Sequence, residues 1–198
     1  MIQLNSDSFS PFTSSPFASA PGRGVIAAER RGLAIASVIA RTGRIADLEQ
    51  SVRRGFGIEL PRGPRHAGVG EVAFVGLGVG SWLAVSGGDA GFAAALHQAV
   101  ADCAAISDQS GGYALLRLTG PKIRNTLAKL LPIDLHPRVF HVAAAASTLT
   151  SHMPVRLWRL EDAPGGSAVF EMAVARSFAA SFWQALVESA AEFGLAVA

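Results

Sequence analysis

Asp134, His136 and His141 set one carboxylate beside two imidazoles, the raw material of a proton relay or a metal site. A relay also needs a nucleophile and a metal site a third ligand. Pro132 and Pro137 bracket the segment, where an Asp ordinarily bonds to nearby backbone, so a structural turn is expected. Asp108-Gln109-Ser110-Gly111-Gly112-Tyr113 could present an acid at a strand end, as an amine-binding carboxylate would. Asp and Ser also open turns and Gly-Gly relaxes them, and the turn is the preferred reading. Gly76-Leu77-Gly78-Val79-Gly80 has the spacing of a dinucleotide loop, which must lead straight into a helix N-terminus. Here Ser81-Trp82-Leu83-Ala84-Val85 follows, a strand pattern, so a glycine-rich hairpin is expected.

His66, His97 and His152 are scattered, and Cys103 falls on a core-facing helical position. Trp82, Trp158 and Trp183 have core or interface roles before any ligand-stacking one. The expectation is a chain without catalytic, cofactor-binding or metal-binding residues of its own.

The elements that must hold these residues begin with composition. Hydrophobic residues make up 50% of the 198 and charged residues 16%, against roughly 25% charged in an average soluble protein. Enough apolar area is present to offset chain entropy, which excludes disorder throughout. A single cysteine excludes a disulfide scaffold and suits a reducing compartment. Of the 17 basic residues only Lys122 and Lys129 are lysines, the rest arginines, a ratio that fits interfaces. Arg41, Arg44, Arg53 and Arg54 alternate with Asp47 and Glu49, a solvated helix face rather than a phosphate-binding patch, so no nucleic acid is expected. Residues 72–88 and 139–155 are the longest uncharged apolar stretches, and glycine, proline and polar residues break both, so neither is expected to span a membrane. Residues 1–21 lack the charged start and apolar middle of a secretory signal, and a cytoplasmic location is expected.

Leu33 to Arg41 reads as a strand. Ile45, Leu48, Val52 and Phe56 then recur at helical spacing with polar residues between them. Residues 72–77 and 81–86 read as paired strands, Phe92, Leu96, Val100 and Cys103 as one helix face, and 104–108 as a short strand. After residue 110 the order restarts: strand 113–119, helix 121–131, strands 148–153, 155–160 and 168–175, helix 177–193 and a last strand 195–198. Ser177 is placed to cap that helix and Gly194 to stop it, with Phe178, Phe182, Leu186, Ala190 and Phe193 on its core face. The repetition reaches individual residues, since Thr42-Gly43 matches Thr119-Gly120 and Ile58-Glu59-Leu60-Pro61 matches Ile133-Asp134-Leu135-His136-Pro137, at offsets of 77 and 75. The fold class read from this is α+β, with duplicated β-α-β-β-α-β (ferredoxin-like) units packed together. The expected division is an arm over 1–24, a first unit over 25–109 and a second over 110–198. The arm holds Phe9, Phe12 and Phe17 in a Ser- and Pro-rich segment, expected to be a disordered terminus or to dock its rings on a partner chain.

The assembled motifs resemble the gamma subunit family of heterotetrameric sarcosine oxidase. The resemblance rests on Trp82-Leu83-Ala84-Val85, on Ile106 to Gly112 leading into Leu116-Arg117-Leu118-Thr119-Gly120-Pro121, on Leu127-Ala128-Lys129 with Pro132 to Pro137, and on Ala175-Arg176-Ser177-Phe178-Ala179 followed by Phe182-Trp183. Ser81 stands where the family usually has an acid, and residues 142–146 lack its usual Pro-Gly. The resemblance implies a fold like the folate-binding domain of the glycine-cleavage aminomethyltransferase, and an oxidoreductase complex that demethylates sarcosine to glycine. It implies partner subunits alpha, beta and delta, chiefly alpha. It also implies FAD, FMN, NAD and tetrahydrofolate in the larger chains and zinc in delta, with none in gamma. The alternatives are a stand-alone folate-binding one-carbon transferase using Asp108, or the gamma subunit of a related dimethylglycine or N-methylglutamate oxidoreductase.

Overall fold

The computed structural model describes residues 23–87 and 91–198. In chain order the elements are β1 (Val25–Arg30), β2 (Leu33–Ala40), α1 (Ile45–Phe56), β3 (His66–Val69), β4 (Val72–Gly78), β5 (Ser81–Gly87), α2 (Phe92–Val100) and β6 (Ala104–Asp108). There follow β7 (Tyr113–Thr119), α3 (Ile123–Leu130), β8 (Ala145–Thr150), β9 (Met153–Leu160), β10 (Val169–Ala175), α4 (Ala179–Ala190) and β11 (Leu195–Val197). They form two α+β units, one of residues 32–110 with 143–146, the other of the remaining described residues.

The first unit carries a five-stranded sheet in the order β3-β4-β5-β2-β6. Its core lies on the helix side, where Leu48 and Val52 of α1 and Phe92, Leu96 and Val100 of α2 cover Val38, Phe74 and Trp82. Phe56 meets the rings of Phe74 and Phe92 edge-on, at centroid distances of 6.1 and 6.0 Å, the geometry that ring quadrupoles favour. Gly57 closes α1 in the left-handed region at φ 68° and returns its N–H to the Arg53 carbonyl, a conformation glycine enters without a Cβ penalty. Cys103 is buried as expected, but it lies in the turn after α2, which ends at Val100, rather than on the helix itself. His66–Val69, outside the strands expected from sequence, is an edge strand paired with β4. Its glycine and histidine weaken the strand signal, and cross-strand pairing rather than local propensity places it.

The second unit carries a six-stranded sheet in the order β8-β9-β10-β7-β1-β11. This repeats the first order with one strand added, because β1 lies antiparallel to β7 and parallel to β11. The division at residue 25 expected from sequence therefore meets a different arrangement, in which Val25–Arg30 pairs with C-terminal strands. Gly24 anchors it: its N–H donates to the Phe193 carbonyl at 3.1 Å, and its own carbonyl accepts from the Lys122 N–H at 2.9 Å. A Cβ on Gly120 would stand 2.5 Å from that carbonyl, and Gly120 has φ 118°, so glycine is needed twice over.

On the helix side of this sheet Leu116, Leu118, Phe170, Met172 and Val174 are buried, with Leu127 of α3 and Phe182, Trp183, Leu186 and Val187 of α4. The helix expected from Ser177 starts two residues later, after a 3-10 turn over Arg176–Phe178, and no side chain caps it. Arg176 sets this start by donating its N–H to the Gly112 carbonyl at 2.9 Å. Phe178 lies off the core face, 40% exposed. Gly194 ends the helix region as expected, at φ 79°. The strand expected at 148–153 lies three residues earlier, because Ser151 and His152 form a turn with φ 44° and 73°. Among the described residues no helix is long and apolar enough to cross a membrane.

Candidate functional site

The Asp134 to His141 segment is tied into local structure. Asp134 accepts a hydrogen bond from the His136 N–H at 2.7 Å, and His136 Nδ1 accepts from the Arg138 N–H at 3.3 Å. His141 Nδ1 lies 2.9 Å from the Val142 carbonyl oxygen, so the carboxylate and the two imidazoles each serve backbone. Two arginines grip this turn from below. Arg124 of α3 donates to the Leu135 carbonyl, and Arg159 of β9, buried against the sheet, donates to the Phe140 carbonyl at 3.2 Å and to Asp162 at 2.6 Å. Burial pushes the Arg124 guanidinium below its ordinary value, and the neighbouring Arg159 charge adds to the shift.

Asp108 ends β6. Its carboxylate accepts from the Ser110 hydroxyl at 2.6 Å and from the Ser110 N–H at 2.8 Å, bonds that hold it below the usual carboxylate range. The Ile35 N–H in turn donates to Ser110 Oγ at 3.0 Å, so the turn is stitched to β2. The glycine-rich segment is the β4–β5 hairpin, with Val79 at its tip 97% exposed. No helix follows Gly80, and a pyrophosphate cradle has no N-terminus to use. A Cβ at Gly76 would stand 2.0 Å from the Gly63 carbonyl oxygen, a packing reason for that glycine. Trp82 donates its indole N–H to the Pro61 carbonyl at 2.8 Å. Trp158 and Trp183 are buried. His97 and His152 are exposed and lie on different units. Among the described residues no three His, Cys, Asp or Glu side chains gather to hold a metal ion. Phe9, Phe12 and Phe17 lie outside the described residues.

Two further places concentrate charge. A groove of about 690 Å³ runs between α1 and the segment 59–67, and four of its charged residues form two pairs within it. Arg62 donates twice to Glu49, both bonds 2.9 Å, and this holds the Glu49 carboxyl below its usual range. Arg53 stands 3.8 Å from Glu59. The second place, which the sequence reading missed, is the face of the six-stranded sheet opposite α3 and α4. Glu171 of β10, 7% exposed, accepts from Arg117 of β7 at 2.6 and 3.1 Å, with Arg30 of β1 3.8 Å away. Arg156 of β9 stacks over the Tyr113 ring and donates to its hydroxyl. The signal was present: Arg117 and Glu171 each interrupt an apolar strand at a position alternate to its core residues.

The duplicated α+β units place the chain with the aminomethyltransferase fold. It is similar to the glycine cleavage system aminomethyltransferase T from Bartonella henselae, with a TM-score of 0.63 and 14% identity over 91% of this chain and 48% of that one. A family model described as "Sarcosine oxidase, gamma subunit family" matches residues 43–192, and the chain belongs to that family. It is 35% identical over 119 residues to the sarcosine oxidase subunit gamma of Corynebacterium sp. (strain P-1), covering 60% of this chain and 58% of the relative. Against the subunit gamma of Arthrobacter sp it is 37% identical over 95 residues, 47% of either chain. The matches thus span about half the length of these curated relatives. A chain in the heterotetrameric sarcosine oxidase from Corynebacterium sp. U-96, in complex with pyrrole 2-carboxylate, aligns over 89% of both chains with a TM-score of 0.77 and 26% identity.

Proposed function

We propose that this chain is a structural, non-catalytic subunit of a cytoplasmic sarcosine oxidase complex, assembled with alpha, beta and delta subunits and chiefly with alpha. In this reading the complex oxidatively demethylates sarcosine to glycine. FAD, FMN, NAD, tetrahydrofolate and zinc reside in the partner subunits, and this chain contributes folded surface. The observation that carries the reading is the family match over residues 43–192, reinforced by the 89% coverage of a chain from a heterotetrameric enzyme. The state of the reactive side chains supports the non-catalytic part. Oδ1 of Asp108 and Oδ1 of Asp134 accept bonds that close their own turns, the structural role an Asp takes there. Cys103 is buried with its thiol donating to the Val100 carbonyl.

Co-expression with candidate alpha and beta chains, followed by size exclusion and native mass spectrometry, tests the proposal. A complex of fixed stoichiometry containing this chain is expected. A chain that remains monomeric and ignores those partners overturns it.

A further inference from the structure

Among the described residues the two sheets end in four edge strands, and three of these are blunted. An uncovered edge presents a row of unpaired N–H and C=O groups, which proteins ordinarily shorten, charge or cover. β11 has only three residues, and β6 runs into the Asp108 turn. β3 is covered at its start, where the His66 N–H donates to the Ala143 carbonyl at 2.8 Å. β8 is different. Ala145-Ala146-Ser147-Thr148-Leu149-Thr150 is six residues long, without a charge, a proline or a glycine, at the end of the six-stranded sheet.

The hairpin fixes which of its groups are open. Ser151 and His152 alone separate β8 from β9, with φ 44° and 73°, the positive pair that the favoured two-residue hairpin turn requires. Such a turn sets Thr150 opposite Met153 as a hydrogen-bonded pair, and Thr148 and Ala146, at alternate positions, bond to β9 in the same way. The backbone groups of Ala145, Ser147 and Leu149 therefore point away from β9. Ala145 confirms the direction, since its N–H donates to the Pro64 carbonyl at 2.9 Å, outside the six-stranded sheet. Ser147 and Leu149 have no such bond among the described residues. Both are exposed, Leu149 by 53%.

We infer that the outer edge of β8 takes up an extended strand of a partner subunit and so lengthens the six-stranded sheet by one. Ser147 and Leu149 offer two N–H donors and two carbonyl acceptors in line, a set that extended backbone meets in register. The strand is uncharged where it crosses, because β8 has no ion to pair a charge desolvated beside Leu149. A second copy of this chain fits less well. Antiparallel β8 strands meeting about Thr148 would set Leu149 opposite Ser147, whereas an unlike strand can set an apolar residue there. This inference rests on the proposed role as a subunit.

The test measures binding of the full chain to the co-purified partner chains by interferometry, with wild type, S147P, L149K and a control, V69K, on the exposed Val69 of edge strand β3. S147P removes one outward N–H and breaks no bond to β9, and L149K places a charge on the edge. Circular dichroism and melting temperature establish that each variant is folded, and L149K serves if S147P does not fold. The expected result is roughly tenfold or greater weakening by S147P and by L149K, and none by V69K. Hydrogen exchange of the wild-type chain adds a readout that side-chain contact alone would not move. The Ser147 and Leu149 amides should exchange freely in the free chain and slow by about a hundredfold or more in the complex. Equal, tight binding by every variant, or unchanged exchange at these two amides in the complex, would overturn the added strand and leave the subunit role standing. Equal loss in V69K would overturn it as well. Self-association of the free chain, lost in S147P while partner binding is unchanged, would replace the partner strand with a second copy. A wild-type chain that binds no partner would overturn the subunit role, and this inference with it.

Discussion

The two units repeat one strand order, and they part at a matched dipeptide, Thr42-Gly43 in one and Thr119-Gly120 in the other. Gly43 has φ 75° and open space where a Cβ would go; Gly120 has φ 118° and meets the Gly24 carbonyl 2.5 Å from that position. In the five-stranded unit β2 pairs directly with β6, whereas in the six-stranded unit β1 lies between β7 and β11. The same motif thus ends a strand in both units but supports a foreign strand in only one. The inserted strand also brings charge, since Arg30 reaches Glu171 across β7. A duplication therefore preserves topology while one copy acquires both an extra strand and a charged face. Its sibling keeps an uncharged face.

The sharpest way to break this comparison is to put the same alanine at both glycines. Gly120→Ala combines a backbone region nearly closed to side chains with a direct clash, and a loss of roughly 3 to 5 kcal/mol is expected. Gly43→Ala meets the conformational penalty without the clash, about 1 to 2 kcal/mol. Urea unfolding of both variants measures the gap, and equal losses would show that β1 does not bear on Gly120.

A smaller effect is expected at Glu171, which is nearly buried while its arginines are half exposed. Glu171→Ala leaves Arg117 and Arg30 facing each other without a carboxylate, at a cost of about 2 to 3 kcal/mol once solvent screening is allowed for. Hydrogen exchange should place the loosening in β1, β7 and β10. Unchanged exchange there would mean that Glu171 does not hold these strands together.

The smallest effect belongs to the Asp108 turn. Its folded carboxyl titrates below its unfolded one, because the Ser110 bonds favour the anion. The stabilisation is therefore complete above the unfolded value near pH 4 and is lost as pH falls through the folded value. Asp108→Asn should remove that acid-side slope, with less than about 1 kcal/mol at neutral pH. Denaturation midpoints of the two proteins that fall in parallel on acidification would contradict it.

Much of this was legible because it is local. The apolar spacing of Leu48 and Val52, and of Phe92, Leu96 and Val100, repeats at helical period, and those residues fill the helix side of the first core. The turns at Asp108 and Asp134 were legible because Asp bonds backbone two residues on. What escaped was non-local. Val25–Arg30 is a short segment with a charged end, and its strand character comes from partners more than 80 residues away in sequence, such as Leu118 and Leu195. Ser177 looked like a cap, yet the bond from Arg176 to Gly112 shifts the helix start past it. Glu171 was invisible as a site because Arg117 and Arg30 become its neighbours only when three strands align.

The central claim, that this chain is scaffold without catalytic groups, is tested most directly by turnover in assembled complexes. Complexes carrying Asp108→Asn, His136→Asn or Cys103→Ser would be purified by gel filtration, matched for flavin content and assayed with sarcosine. Turnover per flavin equal to that of the wild-type complex is the expected result, with at most a small loss in yield of complex for Cys103→Ser, whose hydroxyl meets the same Val100 carbonyl that accepts from the thiol. A large fall in turnover in intact, flavin-replete complexes would contradict the account, because it would mean that one of these side chains reaches the reacting atoms.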